Sequence, residues 1–363
     1  MFLFISLMVQ AFWKKSKILQ TANVLLKPIK IEKWKLIGFA GLQVITILLV
    51  CINLIDLSGG KPLSEAIGYV RTTNLFTDEN LSLPRILREM KRVCTISGYI
   101  WGYIFIYNSL LKYKKNIVLI ICNFLLSMGC MLTDGARTNL IQLIVATLVM
   151  WYILNGRIKG WRKKTNMKYA IFCVAALMAL VFGFQGLGNL MGRESVRTAG
   201  EYIAIYMSAE LKNLDSFVRT GDFGAPIEKW QTLIYVVNYI GNRFGISSLV
   251  HELDTPFLYV NGNSLGNVCT TFYAFLYDGG YLAVIFFVSL MAVISQISFR
   301  GAVFGKFKPI DMKIILYSYI TFTIAFSFFS NKFYEMVFDS NFIKRVIYLF
   351  LIRWVILKVR VKI

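Results

Sequence analysis

Hydrophobic residues in this chain are gathered into long blocks with almost no charge inside them, and the charged residues fall in the stretches between. A helix needs ~20 apolar residues to cross a bilayer. The blocks show neither the two-residue alternation of a membrane barrel nor the one-sided pattern of soluble helices. They predict transmembrane helices at Leu36–Ile55, Val93–Leu111, Ile117–Thr133, Thr138–Leu154, Tyr169–Leu190, Gly280–Phe299, Ile314–Ser330 and Asn341–Leu357, the last carrying Lys344, Arg345 and Arg353. Met1–Trp13 is apolar but shorter than a crossing, and reads as the tail of a helix begun upstream or as a short first span. With it, about nine crossings are expected. The fold class is therefore an all-α, polytopic helical bundle forming one integral membrane domain over residues 1–363.

Two stretches break the pattern. Residues 56–92 are polar, with mixed charge, and form a second external loop. Residues 191–280 form the large external loop and carry the candidate site. Inside it, apolar residues at 203, 207, 211, 214 and 218 predict an amphipathic helix over Glu201–Val218, lying on the membrane or on the bundle. Thr232–Ile240 is apolar but short, and fits a re-entrant or surface segment.

Composition and charge agree with a membrane protein. Hydrophobic residues make up 57% of the chain and charged residues 16%, against about 25% charged in soluble domains. The net charge of +21 is not spread over a basic face, so nucleic acid is excluded as a partner. It lies in alternate loops: 13–35, 112–115, 155–168, 300–313 and 358–363 together hold 23 Lys and Arg and only two acids, Glu32 and Asp311. The opposite side, counting Lys344 and Arg345 near the start of the last span, holds 16 Lys and Arg against 17 acids. The positive-inside rule then puts the first set and the C-terminus in the cytoplasm, and the 191–280 loop outside. Six cysteines occur without a C-x-x-C pair, and there is one histidine, so no metal and no cofactor is expected.

Candidate chemistry concentrates in the outward loops. Asp134-Gly-Ala-Arg137 is a four-residue external turn that puts a guanidinium at the mouth of a span. Such an arginine either binds an anion such as phosphate or snorkels to lipid headgroups. Arg193 and Arg197 are four residues apart, spaced to clamp a pyrophosphate if helical, or Arg197 pairs with Glu194 at the surface. Arg243 sits in Gly241-Asn-Arg-Phe-Gly245, expected to be a turn exposing backbone donors. His251, beside Glu252 and Asp254, is the one side-chain type here that ordinarily exchanges a proton near neutrality and is the candidate general base, or is merely solvated. Asp215, Glu194 and Glu201 are rival bases. Between Asn263 and Gly280, aromatic rings alternate with Asn267, Thr271, Tyr273 and Asp278, which suits sugar binding or an interfacial aromatic belt.

At these residues the sequence resembles the O-antigen and capsule polymerase family, called Wzy, which joins oligosaccharide repeat units in bacterial envelopes. The resemblance rests on the Gly-Ala-Arg137 turn entering a helix and on Gly-Asn267-x-x-Thr-Thr-Phe-Tyr273-x-x-x-Tyr-Asp-Gly-Gly280-Tyr-Leu before a late span, with a large external loop between them. The Tyr206–Phe217 stretch is also family-like. It implies a glycosyltransferase-C-like fold in the bacterial cytoplasmic membrane. It also implies metal-independent, inverting transfer of an undecaprenyl-pyrophosphate-linked glycan at the outer face. Arg137, Arg193, Arg197 and Arg243 would neutralise the pyrophosphate, with Arg137 and His251 catalytic and Asn267, Thr271, Tyr273 and Asp278 holding sugar. Membrane lipids and a chain-length regulator are the further partners. A ligase that moves the finished glycan shares these features. A flippase for lipid-linked oligosaccharides is a different class, for which repeated halves and charged or broken mid-membrane helices would be expected; no repeat is visible and spans two to eight are uncharged.

Overall fold

The computed structural model describes residues 1–12, 26–77, 79–161, 186, 199–220, 228–260, 262–306 and 308–358. The described chain is mostly helical. Three of its helices are long and apolar enough to cross a membrane. It divides into two compact units, and residues 306–318 and 347–363 belong to the first described below.

This first unit holds helices α2 (Lys33–Leu57), α3 (Leu63–Phe76), α4 (Arg85–Leu110), α5 (Ile117–Leu132) and α6 (Arg137–Lys159). Of these, α2 and α6 are membrane-crossing candidates. At the centre is α4, which packs on α2, α5 and α6. From Ile96 to Ile104 every residue of it is buried, as in a helix enclosed by others. Two glycines one turn apart let its neighbours come close. A Cβ on Gly98 would lie 2.9 Å from the Ser127 Cβ of α5 and 3.0 Å from Leu143 of α6, and one on Gly102 would lie 3.1 Å from Phe124. Gly98-x-x-x-Gly102 is thus a small-residue packing seam, the arrangement that holds helices together where solvent is lipid.

Polar side chains add directional contacts to that seam. Gln43 of α2 points its amide nitrogen at Ser127 Oγ (2.8 Å), Ser97 Oγ (3.1 Å) and the Asn123 carbonyl (3.1 Å), all buried. Asn123 in turn donates to the Leu36 carbonyl at 3.1 Å. Each bond offsets the cost of a polar group held away from water.

The basic loops that alternate along the sequence meet at one end of this unit. Arg157, in the last turn of α6, pairs with Asp311 at 3.0 Å, both almost fully buried. Arg353 donates to the Ile310 carbonyl at 2.9 Å, and Lys35 to the Ile356 carbonyl at 3.0 Å. Asn108, at the end of α4, bonds both backbone groups of Ile29. The loops at the other helix ends also meet: Lys91 pairs with Asp134 at 2.7 Å. The Gly135 turn, held in the left-handed region at φ 62°, packs on Ile67 and Arg71 of α3.

The other unit holds α1 (Phe2–Phe12), α7 (Ala199–Thr220), α8 (Ile234–Phe244), a hairpin of β1 (Leu258–Val260) and β2 (Asn263–Gly266), α9 (Thr271–Phe304) and α11 (Lys332–Val337). Helices α10 (Met312–Ala325) and α12 (Ser340–Lys358) contribute residues to both units. The third membrane-crossing candidate is α9, which breaks at Gly279 and Gly280; Gly280 has φ 62°, open to glycine at little cost. Around the break, Phe275, Phe287 and Tyr334 interlock edge-on and stacked, with ring centroids 5.2–5.5 Å apart, and the Tyr334 hydroxyl donates to the Phe287 carbonyl.

Four local expectations are corrected. Most of residues 56–92 is helix rather than loop, because α3 buries Ala66, Ile67 and Val70 against Val50 and Leu54 of α2 and α4 starts at Arg85. Helix α9 starts at Thr271, capped by the Thr270 side chain, so the aromatic stretch before the span is itself helical. The buried side of α7 carries Ala209, Glu210 and Asn213, whereas Leu211 is 64% exposed, because α7 packs on Cys269, Tyr273 and Tyr277. The hairpin is a small β element in an otherwise helical chain. The Tyr169–Leu190 span lies outside the described residues apart from Gly186.

Asp311→Ala should leave the buried Arg157 guanidinium without its carboxylate, and cost about 3–5 kcal/mol, whereas Arg157→Met with Asp311→Leu should recover most of it. Gly98→Val should destabilise by about 1–3 kcal/mol through overpacking, whereas Gly38→Ala, which meets nothing within 4 Å, should be near neutral. Thermal unfolding in detergent measures all of these.

Candidate functional site

Asp278 is the last residue before the break in α9, and its carboxylate organises what surrounds it. One oxygen accepts the Gln231 N–H at 2.8 Å and the other the Thr232 N–H at 2.7 Å. Bonds to an ionised carboxylate are roughly twice as strong as neutral ones, so the chain entering α8 is pinned to α9. Asn331 closes the arrangement, donating to the Thr232 carbonyl (2.9 Å) and accepting from the Thr271 hydroxyl (2.9 Å). The Gln231 side chain passes the order on: it donates to the Glu252 carbonyl at 2.7 Å and accepts the Asp254 N–H at 2.8 Å.

That segment carries His251. The Asn238 amide of α8 grips both backbone groups of His251, donating to its carbonyl (2.8 Å) and accepting its N–H (3.0 Å). The imidazole Nδ1 lies 3.0 Å from Glu228 Oε2. With Glu228 ionised, Nδ1 carries the proton and donates it to the carboxylate, which leaves the lone pair on Nε2. Nε2 is buried and has no hydrogen-bond partner among the described residues. A histidine oriented by a carboxylate, with its second nitrogen uncommitted, has the form of a general base. Tyr277 braces the dyad: its hydroxyl accepts the Glu228 N–H at 3.2 Å and donates to the Asp254 carboxylate.

In the same unit is a cavity of about 180 Å³. Gln231, Asn267, Asn331, Lys332 and Glu335 give it a polar lining, with the rings of Tyr235 and Tyr273 on its walls. Lys332 and Glu335 are paired at 2.5 Å. Leu253 and Thr255, just after His251, also line it. Several convergent donors and acceptors with aromatic faces suit a small hydroxyl-rich ligand. The Tyr273 hydroxyl donates to the Asp254 carbonyl at 2.9 Å, and Phe217 of α7 packs against both Tyr273 and Tyr277.

Glu210, in the same unit, is 1% exposed, and its two buried carboxyl oxygens have no hydrogen-bond partner on another described residue. Burial pushes its carboxyl up to about 7. The nearby Cys269 thiol is pushed up to about 12, by burial first and by the Glu210 charge second. Asn213, one turn along α7 from Glu210, donates to the Val268 carbonyl at 2.7 Å and holds this segment in place.

The candidates named from the sequence fare differently. Asn267 and Tyr273 come together on the cavity, and Thr271 reaches it through Asn331. Asp278 is engaged with backbone amides, so it positions the site rather than facing a ligand. The orienting carboxylate of His251 is Glu228, not the adjacent Glu252 or Asp254, because residues 251–254 run extended along Gln231 and Asn238. Arg243 is exposed in the last turn of α8, so Gly241–Gly245 is a helix end and not a free turn; only Gly245 is left-handed, at φ 69°. Arg137 belongs to the other unit, where it is 3% exposed at the first position of α6 rather than at an open mouth. Asp215 is paired with Arg219 and Lys212, which hold its carboxyl below the usual range and make it a poor base. Arg193, Arg197 and Glu194 lie outside the described residues, and Glu201 is exposed at the start of α7. Glu228, Glu210, Asn331 and Lys332 were not singled out in the sequence. Nothing in the sequence set Glu210 apart from Glu201 and Asp215, the other acids of the same amphipathic helix.

No family model, curated protein or solved structure matches this chain. What the fold and composition define is a class: a mostly helical protein with three helices long and apolar enough to cross a membrane.

Because the Glu210 carboxyl rises from its ordinary 4.5 to about 7 in the folded protein, folding favours its protonated form. Its stabilising contribution is complete below pH 4.5 and is lost as pH rises through about 7. Glu210→Gln should remove that fall, as seen by comparing melting temperatures of wild type and variant between pH 5 and 8.

Proposed function

We propose that this protein is a bacterial envelope glycan polymerase. In this reading it joins oligosaccharide repeat units carried on undecaprenyl pyrophosphate, at the outer face of the cytoplasmic membrane. The observation that carries the reading is the His251–Glu228 dyad, with Nε2 uncommitted, in the same unit as a cavity lined by amides, hydroxyls and two tyrosine rings. Two further features support it: the sequence resemblance to the Wzy polymerases and the outward assignment of the 191–280 loop by charge.

In this reaction His251 Nε2 takes the proton from an acceptor sugar hydroxyl. The freed oxygen attacks the anomeric carbon of the donor glycan from the face opposite its phosphate. The bond between that carbon and the pyrophosphate oxygen breaks, its electrons leave with the pyrophosphate, and the configuration inverts. Glu228 steadies the imidazolium that forms, as a carboxylate partner does in other histidine-base sites. Asn267, Tyr273 and the Thr271–Asn331 pair hold the sugar. Arg243 is the arginine of this unit assigned to the leaving phosphate, with Arg193 and Arg197 on the same loop. Arg137, buried at the head of α6, is a separate functional candidate, because a guanidinium at the positive end of a helix in a membrane protein is costly to place there.

The reading is tested by glycan laddering in a strain lacking the protein, complemented with variants at matched membrane levels. Deletion should leave single repeat units. His251→Ala should lower polymer formation by about 10²–10⁴-fold, the usual range for a general base. Glu228→Gln should lower it less, and Arg137→Ala should resemble the deletion. A ladder that persists on the lipid carrier without reaching its final acceptor would identify a ligase instead. Loss of all external repeat units would identify a flippase.

A further inference from the structure

Helix α9 changes surroundings at its break. Before Gly279, Thr271, Tyr273, Ala274, Phe275, Leu276 and Tyr277 are buried within the protein. After Gly280, Tyr281, Leu282, Ile285 and Phe286 stand exposed, Leu282 by 79%, in the most apolar stretch of a membrane-crossing candidate. Exposed leucine and phenylalanine on such a helix face lipid, so the break marks where the hydrocarbon begins. Asp278, directly before the break, holds the N–H groups of Gln231 and Thr232. Helix α8, starting at Ile234, is therefore tied to the level of that boundary.

The outer face of α8 is mostly apolar, with Asn242 and Arg243 exposed on the same side. Tyr239, Ile240 and Phe244 are exposed on it, Phe244 by 74%, and Ile246 and Val250 continue the apolar surface beyond its end. Its other face, with Ile234 and Gly241, packs inward, so close that a Cβ on Gly241 would lie 2.9 Å from Val250. If α8 rose away from the boundary into water, this patch would be an unexplained exposed apolar surface. If it plunged toward the bilayer centre, it would drag Asn242 and Arg243 with it, at a cost of about 2.5–3.5 kcal/mol for the arginine alone. A helix about 16 Å long, apolar on one face and ending in an arginine that can reach headgroup phosphates, is stable lying in the interface. Trp230, half exposed just before it, is of the residue type that gathers at that depth.

We infer that α8 is an interfacial helix: Tyr239, Ile240 and Phe244 enter the phospholipid boundary at which the membrane-crossing part of α9 begins, and Arg243 meets lipid phosphates there. Because the Asn238 amide of α8 holds His251, this also sets the His251–Glu228 dyad at the membrane surface. The inference rests on the membrane-crossing reading of α9 and not on the glycan reaction, so it stands or fails separately from the proposed activity.

The test uses the full-length protein, with its native cysteines replaced, in phospholipid nanodiscs. Single cysteines at Ile240→Cys and Phe244→Cys carry a nitroxide, with Leu282→Cys as the lipid reference and Glu252→Cys as the aqueous one. Accessibility to oxygen and to a water-soluble nickel chelate is then compared by power saturation. All four side chains are exposed, so labelling leaves the fold intact, which circular dichroism checks. Labels at 240 and 244 should group with Leu282, favouring oxygen, at a depth of about 5–10 Å below the headgroup boundary. Labels that group with Glu252, favouring nickel, would overturn the inference. So would labels shielded from both reagents, which would mean that a protein surface and not lipid covers the helix.

Discussion

The unit that carries the candidate site hangs from one carboxylate. Asp278 lies where α9 passes from protein surroundings to an exposed apolar surface, and it accepts two backbone N–H groups that no helix or strand satisfies. A buried N–H without a partner costs about 1–3 kcal/mol, so the segment before α8 has a strong reason to stay in place. From there the order spreads by single bonds. Gln231 fixes residues 252–254, Asn238 fixes His251, and Asn331 ties Thr232 to Thr271. The glycine pair after Asp278 lets the helix break, which gives the carboxylate its aim across to α8.

The unit built on α2–α6 solves a different problem. Lipid gives apolar side chains no reason to leave it, so helices there hold together by close backbone approach and by polar contacts. Gly98 and Gly102 supply the first, and Gln43, Ser97, Asn123 and Ser127 the second. At the basic end, Arg157 and Asp311 neutralise each other in a site with almost no access to water. Such a pair adds little net stability over an apolar one, but it is costly to break from one side, and so it fixes which helix ends meet.

The site's chemistry comes from placing titratable groups out of water and then satisfying them unequally. His251 has one nitrogen engaged and one uncommitted. Glu210 is buried with neither oxygen bonded to another described residue, and burial raises its carboxyl. Asp278 and Asp254 are satisfied by bonds to their carboxylates, from backbone N–H groups and from a tyrosine hydroxyl respectively, and they serve as anchors. The difference between a candidate base and an anchor in this region lies in that accounting rather than in residue type.

Hydrophobic pattern and loop charge alone determined where helices form and which loops keep company. Segments α2, α4, α5, α6, α9, α10 and α12 lie where apolar blocks stand in the chain, and the basic connections do gather at one end of their unit. Exclusion of charge from lipid acts on every residue of a block, so the signal is local and cumulative. Only the tertiary structure decided that α3 is a helix, that α7 turns Glu210 and Asn213 inward while Leu211 faces out, and that Arg137 is buried. It also chose Glu228, 23 residues before His251, over the adjacent acids as the partner of the imidazole. Those outcomes depend on which surfaces meet across long separations in the chain, and a pairing made by packing leaves no period or spacing in the sequence to read.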